Sequence, residues 1–261
     1  NDAPALKKAD IGVAMGRRGT AAAKEVSDMV LLDDAFSSIV SAIRQGRVIF
    51  GNIRKSVMFV LCTNIAEVLA VTAASVTGAP LPLLPLQILY LNMLTDALPA
   101  LALGVTKGGE GIMERSPRSS EESIMTRRHW MRLGGWGISI AVSVLGALGV
   151  ALWWLGADER TAVTVSFVTL GFAKLWFVYN LRDRGTHWLR NPILQNRWIW
   201  ASVAFCAALL VAAVYAPGLS AVLKTRPLGV AEWLVVLVAS LLPVIVGQLA
   251  RLITPAAAPG R

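Results

Sequence analysis

The chain has 261 residues, 55% of them hydrophobic and 16% charged, with a formal net charge of +9 and a mean hydropathy of +0.60. A chain this apolar is no ordinary soluble domain: several stretches exceed the ~18 apolar residues that a membrane-spanning helix needs. The basic residues cluster where those stretches end, as the positive-inside rule predicts, and no basic surface interleaved with aromatics is present for stacking bases, which excludes a nucleic-acid partner.

The first ~50 residues differ from the rest. They begin at Asn1 rather than Met and carry no signal peptide, so they read as the continuation of something upstream. "ADIGVAMG" has the look of a short buried strand closed by glycine. "GTAAAKEVSDMVLL" reads as a helix followed by a second strand, and "AFSSIVSAIRQGRVIFGNIRKS" as a helix leading into the bilayer. The expectation is the end of a soluble α/β domain over 1–50, too short to fold alone, followed by a membrane domain over 51–261.

Six spans are expected in that domain, at about 57–77, 85–105, 132–155, 161–180, 198–216 and 230–253. The intervening segment 106–131 carries Lys107, Arg115, Arg118, Arg127 and Arg128, and 181–197 carries Arg182, Arg184, Arg190 and Arg197. The connections around Pro82, Asp158 and Lys224 are shorter or poorer in basic residues. The N-terminal segment, both arginine-rich loops and the C-terminus are therefore expected on the cytoplasmic side. Trp130, Trp154, Trp198 and Trp233 fall near span ends, as an aromatic belt does. Cys62 and Cys206 lie inside apolar stretches and read as small buried residues.

The polar residues inside the spans carry the functional signal. In "CTNIAEV", Asn64 and Glu67 are three apart and share a helix face. In "LYLNMLTDALPALALG", Asn92, Thr95 and Asp96 follow the i, i+3, i+4 pattern. Both carboxylates lie about ten residues from the same membrane surface, near the bilayer midplane at ~1.5 Å per residue. An isolated carboxylate there costs at least ~2.5–3.5 kcal/mol, a cost that a proton or a bound cation removes. The ligand atoms are hard oxygens, suited to Ca²⁺, Mn²⁺, Mg²⁺ or Na⁺ rather than Cu⁺ or Zn²⁺. Pro99 cannot donate to the carbonyl of Thr95, so a broken helix with a freed carbonyl is expected. Lys174 is the other charge within a span; it either sits beside the carboxylates as a fixed positive charge or snorkels toward its span end. Glu232 reads as interfacial.

"NDAPALKKADIGVAMG" resembles the end of the hinge motif of P-type ATPases. "GTAAAKEVSDMVLLDD", "GRVIFGNIRKS", "TNIAEV" and "NMLTDALPALALG" continue the match in order. The resemblance covers nearly the whole chain and is nearest to the calcium pumps of the sarcoplasmic reticulum type and their bacterial relatives. It implies a six-helix membrane bundle preceded by the last piece of a haloacid-dehalogenase-like phosphorylation domain, in a bacterial plasma membrane. The actuator, nucleotide and phosphorylation domains of the same polypeptide would lie upstream. Asn64, Glu67, Asn92, Thr95 and Asp96 match transported-ion ligands. Asn1 and Asp2 match residues of the Mg²⁺ and phosphate pocket, and the phosphorylated aspartate itself is not in the chain. The implied enzyme is a translocating ATPase using Mg²⁺ and ATP and exporting a divalent cation, most simply Ca²⁺, with this part alone inactive. Mn²⁺, Na⁺ or H⁺ as cargo, a gradient-driven transporter and a non-pumping membrane protein are the alternatives. One departure stands out: where two-ion calcium pumps have a glutamate, this chain has Gly171, with Lys174 one turn on.

Overall fold

The computed structural model describes residues 1–109, 111–114, 116–119, 122–183 and 191–253. Arg115, Arg184 and Arg190 of the basic loops lie outside the described residues, as does the segment 254–261. The chain divides into two compact units, Asn1–Phe50 with Ile112–Glu114, and Gly51–Gly111 with Arg115–Arg261.

The first unit is built from α1 (Ala3–Lys8), β1 (Val13–Met15), α2 (Ala21–Val26), β2 (Met29–Leu31) and the start of α3 (Phe36–Thr77). The two strands expected from the sequence pair in parallel, with Val13 opposite Met29 and Met15 opposite Leu31. A parallel pair needs a crossover, and α2 supplies it. Thr20 starts that helix by accepting from the Ala23 N–H at 3.2 Å. Gly12 is required by a close approach: a Cβ there would lie 2.4 Å from the Leu6 carbonyl oxygen. Asp34 has a left-handed φ of 55°. Its carboxylate accepts the backbone N–H groups of Arg17 and Arg18 at 2.8 and 2.9 Å. Those donors, Arg17 first, hold the Asp34 carboxyl below its usual range. The short helix α1 has no counterpart in the sequence-based expectation.

Among the described residues, six helices are long and apolar enough to cross a membrane, the first of them beginning in the first unit. They are α3; the composite of α4 (Pro85–Leu91), a π-helical turn at Asn92–Asp96 and α5 (Ala97–Gly104); α6 (Arg127–Gly149) with a π-helical turn at Val150–Trp154; α7 (Glu159–Phe177) with a 3₁₀ turn at Val178–Leu181; α8 (Arg197–Tyr215); and α10 (Val230–Ile253). Between α8 and α10 lies α9 (Pro217–Leu223), a short helix opened by proline that hydropathy alone did not separate from its loop. The fold class is thus the expected polytopic bundle. Helix α7 is its axis, with 89% of its apolar window buried, against 28% for the peripheral α10. Trp130, Trp154 and Trp198 are exposed near helix ends, whereas Trp233 packs edge-on against Phe172.

Pro99 does not break its helix. It stands third in α5, within the first turn, where a missing N–H is tolerated, and the helix widens into the π-helical turn just before it. Pro243, inside α10, is likewise accommodated. It cannot donate to the carbonyl of Ala239, four residues back, and the Ser143 hydroxyl of α6 donates to that carbonyl instead. The far end of α5 is held from two sides. Asn52 donates to the carbonyls of Gly104 and Thr106 at 3.0 and 2.7 Å, and Ser56 to that of Ala100 at 2.8 Å. Asn196 donates to the Ala102 carbonyl at 2.9 Å while its own amide oxygen accepts the Trp198 N–H at 2.9 Å. One side chain therefore caps the start of α8 and satisfies a terminal carbonyl of α5.

Substituting Asn196→Ala removes a cap and leaves the Ala102 carbonyl with only the Thr106 hydroxyl at 3.3 Å, so the full-length protein should lose about 0.5–2 kcal/mol of stability. A thermal melt in detergent that matches the unsubstituted protein would contradict this double role.

Candidate cation site

Three helices bring the polar residues of the spans together. From α3 come Thr63, Asn64 and Glu67; from the π-helical turn Asn92, Thr95 and Asp96; from α7 Lys174. Glu67 and Asp96 are buried, and Lys174 is fully so, with 0% exposure. The expectation that residues three and four apart share a face holds for both helices, and the two carboxylates do stand at one level.

The lysine resolves the choice left open by its sequence position. It does not snorkel. Its Nζ lies 2.5 Å from Glu67 Oε1, 3.0 Å from Asp96 Oδ1 and 3.1 Å from Asn92 Oδ1. The ammonium donates hydrogen bonds to Asn92 and Asp96, and its contact with Glu67 is an ion pair without hydrogen-bond geometry. The arrangement satisfies the rule that buried charges must be paired, since one cation is shared by two anions that would otherwise repel. Asp96 receives further support from α3: Thr63 Oγ1 and Asn64 Nδ2 approach its two carboxylate oxygens, each at 3.4 Å. The Asn64 amide also donates to the Val60 carbonyl at 2.7 Å, which orients the side chain across the helix surface.

Thr95 is buried in the same turn, but its hydroxyl donates to the Leu91 carbonyl of its own helix at 2.8 Å. It is adjacent to the cluster rather than hydrogen-bonded within it. Thr63 was not anticipated. It stands four residues before Glu67, so the same helical spacing that singled out Asn64 could have found it. Asn64 and Asn92 are half-buried, which makes the amides the accessible side of the cluster.

The π-helical turn matters to this geometry. It sets Asn92 and Asp96, four apart in sequence, on the same ammonium. Helix α8 supports it from behind: Cys206 Sγ donates to the Leu94 carbonyl at 3.3 Å, and Tyr90 Oη to the Leu209 carbonyl at 2.8 Å. Such turns are rare and concentrate at functional sites.

Gly171, one turn before Lys174, leaves no unfilled room. A Cβ there would lie 2.7 Å from both methyls of Leu210 and 3.2 Å from a methyl of Leu91. A larger residue at this position must displace leucine ends from a buried contact. At the other end of the chain, Asn1 and Asp2 are exposed at the start of α1, where the Asp2 carbonyl accepts the Leu6 N–H at 2.9 Å.

The whole set offers carboxylate, amide and hydroxyl oxygens in a buried site with one built-in positive charge. Among the described residues, no group of three or more His, Cys, Asp and Glu side chains gathers as a metal site. The oxygens gathered around the ammonium are carboxylate, amide and hydroxyl, the hard donor types.

Residues 80–253 match the family described as cation transporting ATPase, C-terminus. The calcium-transporting ATPase of Bacillus subtilis (strain 168) is 37% identical over 243 residues, covering 93% of this chain and 27% of that protein. A probable cation-transporting ATPase F of Mycobacterium tuberculosis (strain H37Rv) is 36% identical over 243 residues, covering 89% and 26%. The endoplasmic reticulum-type calcium-transporting ATPase 3 of Arabidopsis thaliana is 32% identical over 283 residues, covering 97% and 28%. The chain thus spans about a quarter of the length of these relatives. With two-thirds of its residues inside the family match and the polar cluster set in its membrane helices, the chain belongs to the cation-transporting ATPases, as their C-terminal region.

Proposed function

We propose that this chain is the ion-binding half of the membrane domain of an ATP-driven Ca²⁺ pump, which exports the ion through an aspartyl phosphate formed upstream. The observation that carries this reading is the convergence of Glu67, Asp96, Asn64 and Asn92 from two helices at one depth. The names of the Bacillus subtilis and Arabidopsis thaliana relatives support calcium as the cargo. Ca²⁺ accepts six to eight flexible oxygen ligands, and this mixture of acids, amides and a hydroxyl suits it better than Mg²⁺, which holds its water in a strict octahedron. Thr95 completes the ligand set by rotating its hydroxyl from Leu91.

Asn1 and Asp2 belong, in this reading, to the phosphate and Mg²⁺ pocket of the phosphorylation domain, whose end is formed by residues 1–50. ATP and Mg²⁺ bind to parts of the polypeptide upstream. The protein resides in a bacterial plasma membrane, with the N-terminal segment, the 106–131 and 181–197 loops and the C-terminus facing the cytoplasm; the basic residues of both loops support that orientation. Without the upstream domains the chain neither hydrolyses ATP nor transports. In the full protein, phosphoryl transfer and hydrolysis alternate the side to which the ion site opens, and α3 connects the two processes.

Charge counting supports one ion per cycle. Glu67, Asp96 and Lys174 together carry one net negative charge, and family resemblance adds one carboxylate from an upstream span. The sum matches a single divalent cation. Lys174 then stands where a second cation would otherwise be needed, and Gly171, enclosed by Leu210 and Leu91, supplies no further ligand.

Four measurements on the full-length protein test this. Asp96→Asn should abolish Ca²⁺-dependent phosphorylation from ATP and spare phosphorylation by inorganic phosphate. Undiminished Ca²⁺-activated phosphoenzyme would remove Asp96 from the site. Asp2→Ala should do the opposite: Ca²⁺ binding persists while phosphoryl transfer falls by about 10²-fold or more, as when one charge-stabilising group is lost. Normal turnover would show the hinge resemblance to mislead. Finally, Lys174→Met leaves two facing carboxylates unbalanced, a change costing about 3–5 kcal/mol in buried pairs. The ion-free protein should therefore melt at lower temperature, and saturating Ca²⁺ should recover much of the loss by mass action. Equilibrium ⁴⁵Ca binding should give one site per phosphorylatable aspartate, with or without Gly171→Glu; two sites in the unsubstituted protein refute the one-ion reading.

A further inference from the structure

Six residues beyond Lys174, Asn180 is completely buried, with 0% exposure, in the 3₁₀ turn that ends α7. Its side-chain amide and its backbone carbonyl are directed at α10. Its Nδ2 donates to the Pro243 carbonyl at 3.2 Å, and its Oδ1 accepts from Gln248 Nε2 at 2.6 Å. Its backbone carbonyl accepts from Arg251 Nη2, while Arg251 Nη1 reaches the Arg182 carbonyl at 3.2 Å. Arg182 Nη2 closes the ring on Gln248 Oε1 at 2.8 Å. The amide enters a notch in α10 made by the absence of a side chain: a Cβ on Gly247 would lie 2.5 Å from Asn180 Nδ2 and 2.8 Å from its Cγ. One level away, Ser143 ties the same α10 to α6.

A key in a notch fixes one coordinate with particular force, the position of α7 along its own axis. Lys174 lies on the same helix, about 9 Å away at ~1.5 Å per residue. Its ammonium contacts lie between 2.5 and 3.1 Å, so a slide by one residue's rise, ~1.5 Å, would lengthen and misalign them and change how the ammonium is shared between the carboxylates. We infer that Asn180 is a positioning residue for ion binding: with Gly247 and Gln248 it sets the height of α7 and thereby the placement of Lys174 between Glu67 and Asp96. This rests on the proposed role of the Lys174 cluster. It differs from ordinary interhelical adhesion because its effect on ions must run through Lys174.

A double-mutant cycle on the full-length protein decides the matter, read as the Ca²⁺ concentration giving half-maximal phosphorylation from ATP. Asn180→Ala should shift that concentration about threefold to tenfold, in the same direction as Lys174→Met, the range typical of coupled neighbours. In the Lys174→Met background the added Asn180→Ala should have no effect. Gln248→Ala, a milder change that removes one partner of the key, and Gly247→Ala, which fills the notch, should behave alike and carry the cycle if Asn180→Ala does not fold. Equal shifts in both backgrounds, or a lowered melting temperature with unchanged Ca²⁺ dependence, would overturn the inference and leave only a structural joint. A Lys174→Met protein with unaltered Ca²⁺ dependence would instead refute the cluster reading on which it rests.

Discussion

Two carboxylates buried in an apolar bundle are the constraint around which this membrane domain is organised. Neither Glu67 nor Asp96 is tolerable there alone, and both together are worse without a counter-charge. The sequence answers with an ammonium brought from a third helix, so α3, α7 and the π-helical turn must meet at one point. That requirement explains why α7 is the most buried element. A helix delivering a lysine to the centre of a bundle has to be enclosed, and its remaining buried surface is mostly Val, Phe, Leu, Ala and Gly, with Thr164, Ser166 and Thr169 among them.

The same need for placement is met by side chains bonded to helix backbones. Ser143 serves the carbonyl that Pro243 abandons, Asn180 enters at Gly247, and Asn52, Ser56 and Asn196 gather the carbonyls at the end of α5. Without water, each of these backbone oxygens has to be satisfied from within the protein. Each such bond also fixes the relative height of two helices, something that apolar packing between smooth surfaces does loosely. Polar joints of this kind are the means by which a bundle of greasy helices acquires a single register.

Much of this was legible in the sequence. Hydropathy located all six spans, because a run of apolar residues long enough to cross ~30 Å has few other uses. The three- and four-residue spacings placed Asn64 with Glu67 and Asn92 with Asp96. The strand at Val13 followed from glycine punctuation, and that at Met29 from the run after a short helical segment. What escaped has a common cause. The partner of Lys174 depends on which helices are neighbours, a tertiary fact absent from any local pattern. Proline predicts disturbance without saying whether a helix will break or widen, so the π-helical turn at Asn92–Asp96 could not be told from a kink. Thr63 was missed because a single threonine in a span usually bonds only to its own helix, as this one also does, to the Phe59 and Val60 carbonyls. Nothing local marks Asn180, the last residue of an expected span, and only the bare backbone opposite it, at Gly247, reveals a key.

A positive charge that is part of the protein also has an electrical meaning. Moving one elementary charge through a membrane potential involves about 2.3 kcal/mol per 100 mV, so the work of export scales with the charges that actually cross. Two mobile divalent ions would draw four charges through the field in each cycle, whereas one ion beside a tethered ammonium draws two. Lys174 neutralises a carboxylate without ever leaving, and it needs no ion gradient to be present. In the pump proposed above, fewer charges crossing means less electrical work per ATP, so a steeper concentration difference can be held across a strongly polarised membrane at the cost of moving fewer ions per turnover.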